Sequence, residues 1–142
     1  MGTLIRAAAV GFALLAAVPG LAKDDAWRAR LARVPIDAAT AAAVTGSGQA
    51  SAVLHGRKLE IMGSFEGLHG AATTAELRAG PVTGVRGGAV APIEVTQDVA
   101  GSLSASIDLS DEQIAALRAG RLYIQIDSKS APDGNLWGWL LP

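Results

Sequence analysis

Two histidines, His55 and His69, are the only imidazoles in this chain of 142 residues, and it has no cysteine. A hydrolytic triad needs a base beside an activated nucleophile, and neither histidine stands in a nucleophile-elbow pattern such as G-x-S-x-G. Their separation of 14 positions is not that of a local ligand pair. Strands can still bring distant imidazoles together, so both are kept as weak metal candidates and otherwise read as solvated loop residues. The carboxylates Glu60, Glu66, Glu76, Glu94, Asp98, Asp108, Asp127 and Asp133 share no short motif. Paired-carboxylate catalysis depends on a fixed separation, which no local pattern here supplies, and solvated strand faces account for them. "SAPDGN" lacks the spaced Asp/Asn series and closing Glu of a calcium loop and suits a turn. "GPVTGVRGG" lacks the Lys-Ser/Thr and the capped helix of a phosphate cradle and reads as a mobile loop between strands. No catalytic residue is expected and no cofactor, copper or zinc being the alternative.

The ending "LWGWLLP" offers aromatic surface instead. Trp137 and Trp139, two apart, share one face of a strand, with Leu136, Gly138 and Leu140 on the other. The pair either forms a second apolar layer against the segment of Trp27 or makes an aromatic binding platform. Core packing is the preferred reading.

Composition bounds what can position these groups. With 50% hydrophobic and 18% charged residues the chain has apolar content for one core, and its length suits one domain. A net charge of -1 gives no general attraction to nucleic-acid phosphates or anionic lipid. Residues 1–22 read as a signal peptide: Arg6 is the positive start, Ala7 to Val18 the apolar stretch, and "GLA" the small-residue site, with cleavage after Ala22. The apolar stretch is shorter than the roughly 20 residues that span a bilayer, and Asp24 and Asp25 follow it. The expectation is therefore a domain of residues 23–142, periplasmic or extracellular, without stable membrane insertion once the leader is removed. Lacking disulfides, it must rely on its core.

Along that domain the patterns are mostly of period two. In "AWRARLARVP" Trp27, Ala29 and Leu31 alternate with arginines, although Trp27, Leu31 and Val34 also fit a helix capped by Asp24; extended structure is preferred. Val53, then Leu59, Ile61, Gly63 and Phe65 flank the turn "HGRK" as a hairpin. "TTAELRAGP" gives a strand with Ala75 and Leu77 on one face. After the Gly-rich loop "AGPVTGVRGGAVAP", Ile93/Val95 and Leu103/Ala105/Ile107/Leu109 mark two more strands. "LSDEQIAALRAG" is the firm helix, residues 110–119, with Ser110 as N-cap, Gln113 at the capping-box position and Ile114 and Leu117 toward the core. "RLYIQID", "SAPDGN" and "LWGWLLP" close the chain as a hairpin. Seven or eight short strands and one short helix indicate an all-β Greek-key sandwich or flattened barrel, the sandwich being preferred.

From about Ala50 to Leu141 the order "GRKLEIMGSFEGL", "ATTAELRAGP" and "IDLSDEQIAALRAGRLYIQIDSKSAPDGNLWGWL" resembles the CHRD domain, a module common in exported bacterial proteins, and "RARLARVPID" resembles its opening segment. The most specific part is Leu117-x-x-Gly120-x-x-Tyr123-x-x-Ile126, followed by Pro132, Gly134 and Gly138-x-Leu140. The resemblance implies a Greek-key β-sandwich akin to copper–zinc superoxide dismutase architecture. Many members carry histidines in A-H-I-H-G-like and Y-V-N-V-H-T-like patterns; here those places hold Glu76, Arg78 and Asp127. Replacing imidazoles with a cation and carboxylates removes the ligands of a redox copper site. If the family's clustering holds, the three form an Arg-carboxylate group instead.

The expected function is that of an exported, non-enzymatic binding or accessory module whose partner is an unknown protein or small ligand of the cell envelope, not nucleic acid. A metal-dependent redox protein and a carbohydrate-binding sandwich using Trp137 and Trp139 are the alternatives.

Overall fold

The computed structural model describes residues 25–142; the expected leader lies outside the described residues. Eight strands follow one another with a single helix between the sixth and seventh. They are β1 (Ala26–Arg33), β2 (Ser47–His55), β3 (Lys58–Glu66), β4 (Ala72–Ala79), β5 (Gly88–Val95), β6 (Gly101–Asp108), α1 (Asp111–Arg118), β7 (Leu122–Ser128) and β8 (Leu136–Trp139). No helix of the described residues is long and apolar enough to cross a membrane.

The ambiguous segment after the leader is a strand. Trp27, Ala29 and Leu31 are buried while Arg28 and Arg30 are exposed, so alternation wins over the helical spacing. In the β2–β3 hairpin Gly56 takes a φ of +67° at the turn, which glycine adopts without a Cβ penalty. Leu59, Ile61 and Phe65 point inward as expected. Val53 does not: it is exposed, and Ala50, Ala52 and Leu54 supply the inner face of β2. Position 53 pairs with the exposed Glu60, and cross-strand partners share a face. β5 also begins earlier than the Gly/Pro-rich pattern indicated, at Gly88. Its pairing with β4 absorbs an irregularity between Leu77 and Arg78, and Pro92 sits within it.

The strands close into an antiparallel barrel in the order β1-β2-β3-β6-β5-β4-β7-β8, not the open sandwich expected. The Greek-key connections are present, since β4, β5 and β6 are joined as neighbours while β3 returns beside β6 and β7 beside β4. Closure comes from two strands that each serve two sheets. β1 pairs with β2 from Ala26 to Leu31 and then with β8 through Ala32 and Arg33. β5 pairs with β4 as far as Ile93 and then with β6 through Glu94 and Val95. Alternation reads the faces of a strand but not whether its end changes partner.

One glycine makes the β1–β8 seam possible. A Cβ on Gly138 would stand 2.6 Å from the Arg30 carbonyl oxygen and 2.8 Å from a Leu31 methyl, so only a hydrogen there lets β8 lie against β1. The interior is filled from every strand, with Leu31, Leu59, Ile61, Leu77, Leu103, Leu122, Ile124, Ile126, Leu136 and Leu140 almost wholly buried. Each such side chain contributes about 1.5–3 kcal/mol relative to exposure.

The helix plugs one end. Ser110 accepts from the Gln113 backbone N–H at 3.1 Å, and the Gln113 side chain accepts from the Ser110 N–H at 2.9 Å, completing the capping box. Leu117 is fully buried beneath it and Ile114 packs partly against the core.

Candidate functional site

The outer face of β4, β7 and β8 carries the residues with chemistry. Register places Thr74 opposite Asp127, Glu76 opposite Gln125 and Arg78 opposite Tyr123. β8 adds Trp137 beside Gln125 and Trp139 beside Tyr123. By alternation this face of β7 should be wet. Yet Tyr123 is 0% and Gln125 6% exposed, because the loop of residues 80–87 and the turn of residues 132–135 fold over them.

Tyr123 is the clamp of that cover. Its hydroxyl accepts from the Gly87 N–H at 2.9 Å and from Arg78 Nε at 3.2 Å, and donates to the Gly87 carbonyl at 3.3 Å. Arg78 also donates to the Gly87 carbonyl, from Nη2 at 2.8 Å, and to Glu76 Oε1 from Nη1 at 2.9 Å. Burial by itself lowers the Arg78 pKa, but the Tyr123 oxygen and the Glu76 carboxylate outweigh it and hold the guanidinium above its ordinary value. The Thr83 hydroxyl ties the loop to the Gly120 carbonyl at 2.7 Å. The loop read as mobile from its glycines is thus fastened to β4, β7 and the end of α1.

The charged group expected from the resemblance forms in part. Glu76 and Arg78 make an ion pair, both half-buried. Asp127 lies on the same face, opposite Thr74 and therefore four residues along β4 from Arg78. Its oxygens accept from Thr74 Oγ1 at 3.1 Å and Gln125 Nε2 at 2.9 Å, not from the arginine. The three residues share a surface without converging on a point.

His55 and His69 are both exposed and belong to opposite ends of β3: His55 opens the hairpin turn before it and His69 follows it. Nine residues of strand separate those ends by roughly 30 Å. Among the described residues no group of three His, Cys, Asp or Glu side chains could hold a metal ion. The copper or zinc implied by dismutase-like architecture does not fit here. At the positions where the resemblance implies imidazoles, Arg78 presents a fixed cation and Glu76 is engaged by it, while both Asp127 oxygens already accept hydrogen bonds.

The tryptophans lie on this outer face and are half-buried, with Leu136, Gly138 and Leu140 buried on the other side of β8. They do not pack on Trp27, which points into the barrel and is 3% exposed. The second apolar layer forms around Tyr123 instead, whose ring lies 4.3 Å from that of Trp139 and 5.8 Å, edge to face, from that of Trp137. The two indoles are inclined at 68°, so they do not make one flat platform. Arg86, from the covering loop, stacks over Trp137 at 5.4 Å and donates from Nη1 to the Asp133 carbonyl at 3.1 Å. A shallow groove of about 1510 Å³ starts at Trp139 and crosses β1, β2 and β3 past Arg28, Arg30, Gln49 and Met62.

Sequence reasoning missed Arg86, Gln125 and Asn135. Asn135, read only as part of a turn, is 0% exposed, accepting from Ser128 Oγ at 2.7 Å and donating to the Thr45 carbonyl at 2.8 Å. For Gln125 a signal existed: a polar residue on the outward side of a strand whose neighbour on that side is a tyrosine marks a face that something covers.

No curated protein and no solved structure matches the chain. The family profile of the CHRD domain matches residues 29–140, from the inward alanine of β1 to the buried leucine after β8. That match takes in every strand of the barrel and the face just described, and the chain belongs to the CHRD-domain family.

Proposed function

We propose that this CHRD-domain protein is an exported, non-enzymatic binding module of the cell envelope, and that its ligand face is the outer surface of β4, β7 and β8 with the loops over it. The observation that carries this reading is the Glu76–Arg78 ion pair locked to Tyr123, at positions where the resemblance implies imidazoles. A pair so engaged offers neither a free base nor a vacant ligand set. What it does is hold a loop, and with it Arg86, over a half-exposed aromatic strip. A face built this way presents fixed shape and a cation–π contact, the means of recognition and not of bond making. Carbohydrate stacking across both indoles is disfavoured by their 68° inclination.

Protein purified from a periplasm tests the reading. Substoichiometric metal by elemental analysis, no superoxide dismutation, and the mature chain in the exported fraction are the expected results. Stoichiometric copper accompanied by activity would overturn it.

A further inference from the structure

Among the described residues one buried side-chain polar atom, Gln125 Oε1, has no hydrogen-bond partner. The amide is not free to reverse, because Nε2 donates to Asp127 Oδ1 at 2.9 Å and reversal would set two acceptors against each other. A buried acceptor of this kind calls for a donor that the folded chain does not itself supply.

Arg86 stands beside the nitrogen of the same amide. A β-carbon placed on Gly134 would be 3.3 Å from Gln125 Nε2 and 3.4 Å from Arg86 Nη2, so amide and guanidinium flank one small space. Arg86 is exposed and is held by the Asp133 carbonyl and the face of Trp137, yet it gives no hydrogen bond to Gln125 Oε1. It fills the stacking position and leaves the acceptor unmet. With Arg86 in place the charged side chains of this face and its covering loops are Arg78 and Arg86 against Glu76, Asp127 and Asp133. With Arg86 withdrawn, one cation remains against three carboxylates, a net charge of -2.

We infer that the position over Trp137 is a guanidinium-binding seat, held in the free protein by Arg86 and taken in the complex by an arginine side chain of a partner protein that also donates to Gln125 Oε1. This rests on the reading of the β4–β7–β8 face as the binding surface and names the chemistry it selects. One stacked cation and one hydrogen bond to a neutral amide give a free small guanidinium no better than about millimolar affinity. The occupant is therefore an arginine carried on a polypeptide, which can continue into the groove that opens at Trp139.

The test uses the mature chain, labelled with nitrogen-15, titrated with a short Gly-Gly-Arg-Gly-Gly amide peptide and with the same peptide bearing citrulline, which keeps the shape and removes the charge. The Trp137 indole and Gln125 side-chain amide signals are expected to move saturably with the arginine peptide, and binding of the citrulline peptide to be about tenfold weaker. Arg86→Ala should bind the arginine peptide about tenfold more tightly, as when a cis competitor occupying its seat roughly nine-tenths of the time is removed. Adding Gln125→Leu to Arg86→Ala should reverse most of that gain. Should the double variant not fold, Trp137→Phe in the Arg86→Ala background, which keeps a ring but weakens the cation–π contact, should reverse it instead. Equal binding of the citrulline peptide, no saturable shift with Arg86→Ala, or a gain untouched by these second substitutions would each overturn the seat. Copper content and dismutation are separate readouts, so a metal-free, inactive protein that ignores arginine peptides refutes the seat and leaves the binding-module reading standing.

Discussion

Replacing Tyr123 with phenylalanine isolates the clamp on the covering loop. The ring remains, packed 4.3 Å from Trp139, so no cavity opens and the loss belongs to one oxygen. That oxygen accepts from the Gly87 N–H and from Arg78 Nε and donates to the Gly87 carbonyl. Arg78 keeps the Gly87 carbonyl and Glu76, which limits the charge-assisted part of the loss. What remains is one neutral hydrogen bond, about 1 kcal/mol, and a half-buried Gly87 N–H without its partner, about 0.5–2 kcal/mol after partial access by water. Tyr123→Phe should therefore destabilise by about 1.5–3 kcal/mol. At a urea dependence of about 1.5 kcal/mol/M that lowers the midpoint by about 1–2 M. Far-UV circular dichroism is the appropriate probe, because the substitution also alters the surroundings of both half-exposed tryptophans. Under native conditions trypsin should cut after Arg86 faster in the variant than in the parent, since opening of the loop no longer breaks the hydroxyl contacts. A midpoint shift below about 0.3 M, with unchanged cleavage, would mean that water replaces the hydroxyl and that Tyr123 does not hold the loop.

Gly138→Ala should destabilise by about 1–3 kcal/mol in the same denaturation assay, because the added methyl meets the Arg30 backbone and must push β1 from β8; a neutral effect would show the seam to be loose. Ser110→Ala should cost about 0.5–2 kcal/mol through loss of the capping box on α1, with Ser110→Gly costing less, and equal costs would point away from capping. Asp37 accepts from the Thr40 hydroxyl at 3.0 Å and from the Ala39 and Thr40 N–H groups, which hold its carboxyl below the ordinary 3.8. Its contribution is therefore present in full above the unfolded value and is lost as pH falls through the lower folded one. The Ala39 and Thr40 amide resonances should titrate with a midpoint below the ordinary 3.8, whereas Asp37→Asn should remove that acid step and a midpoint at or above 3.8 would refute the hydrogen bonds as its cause.

Much of the fold was legible because it depends on local alternation and capping. Trp27, Ala29 and Leu31, the inward set of β3, Ala75 with Leu77, and the Ser110–Gln113 box each follow from period and residue type within a few positions. Val53 misled because an alanine-rich strand gives a weak apolar signal, so one valine outweighed Ala50, Ala52 and Leu54 in the wrong phase. The candidate site was legible only in its membership. Glu76, Arg78, Asp127, Trp137 and Trp139 were all singled out and all lie on one face, but Arg78 pairs with Glu76 while Asp127 turns to Thr74 and Gln125. The partners lie across strands up to 53 positions apart, a choice set by register.

What the sequence by itself determined, then, is a small set of amphipathic strands, one capped helix, membership of a family and a chain with only two imidazoles. Tertiary structure decided the rest. The ends of β1 and β5 change partners and close the barrel, and the loop of residues 80–87 roofs a face that alternation assigns to water. The first depends on backbone pairing whose donors and acceptors are common to every residue, and the second on the side chains of Arg78, Thr83 and Tyr123, whose partners lie up to 37 positions away, so no local pattern announces either.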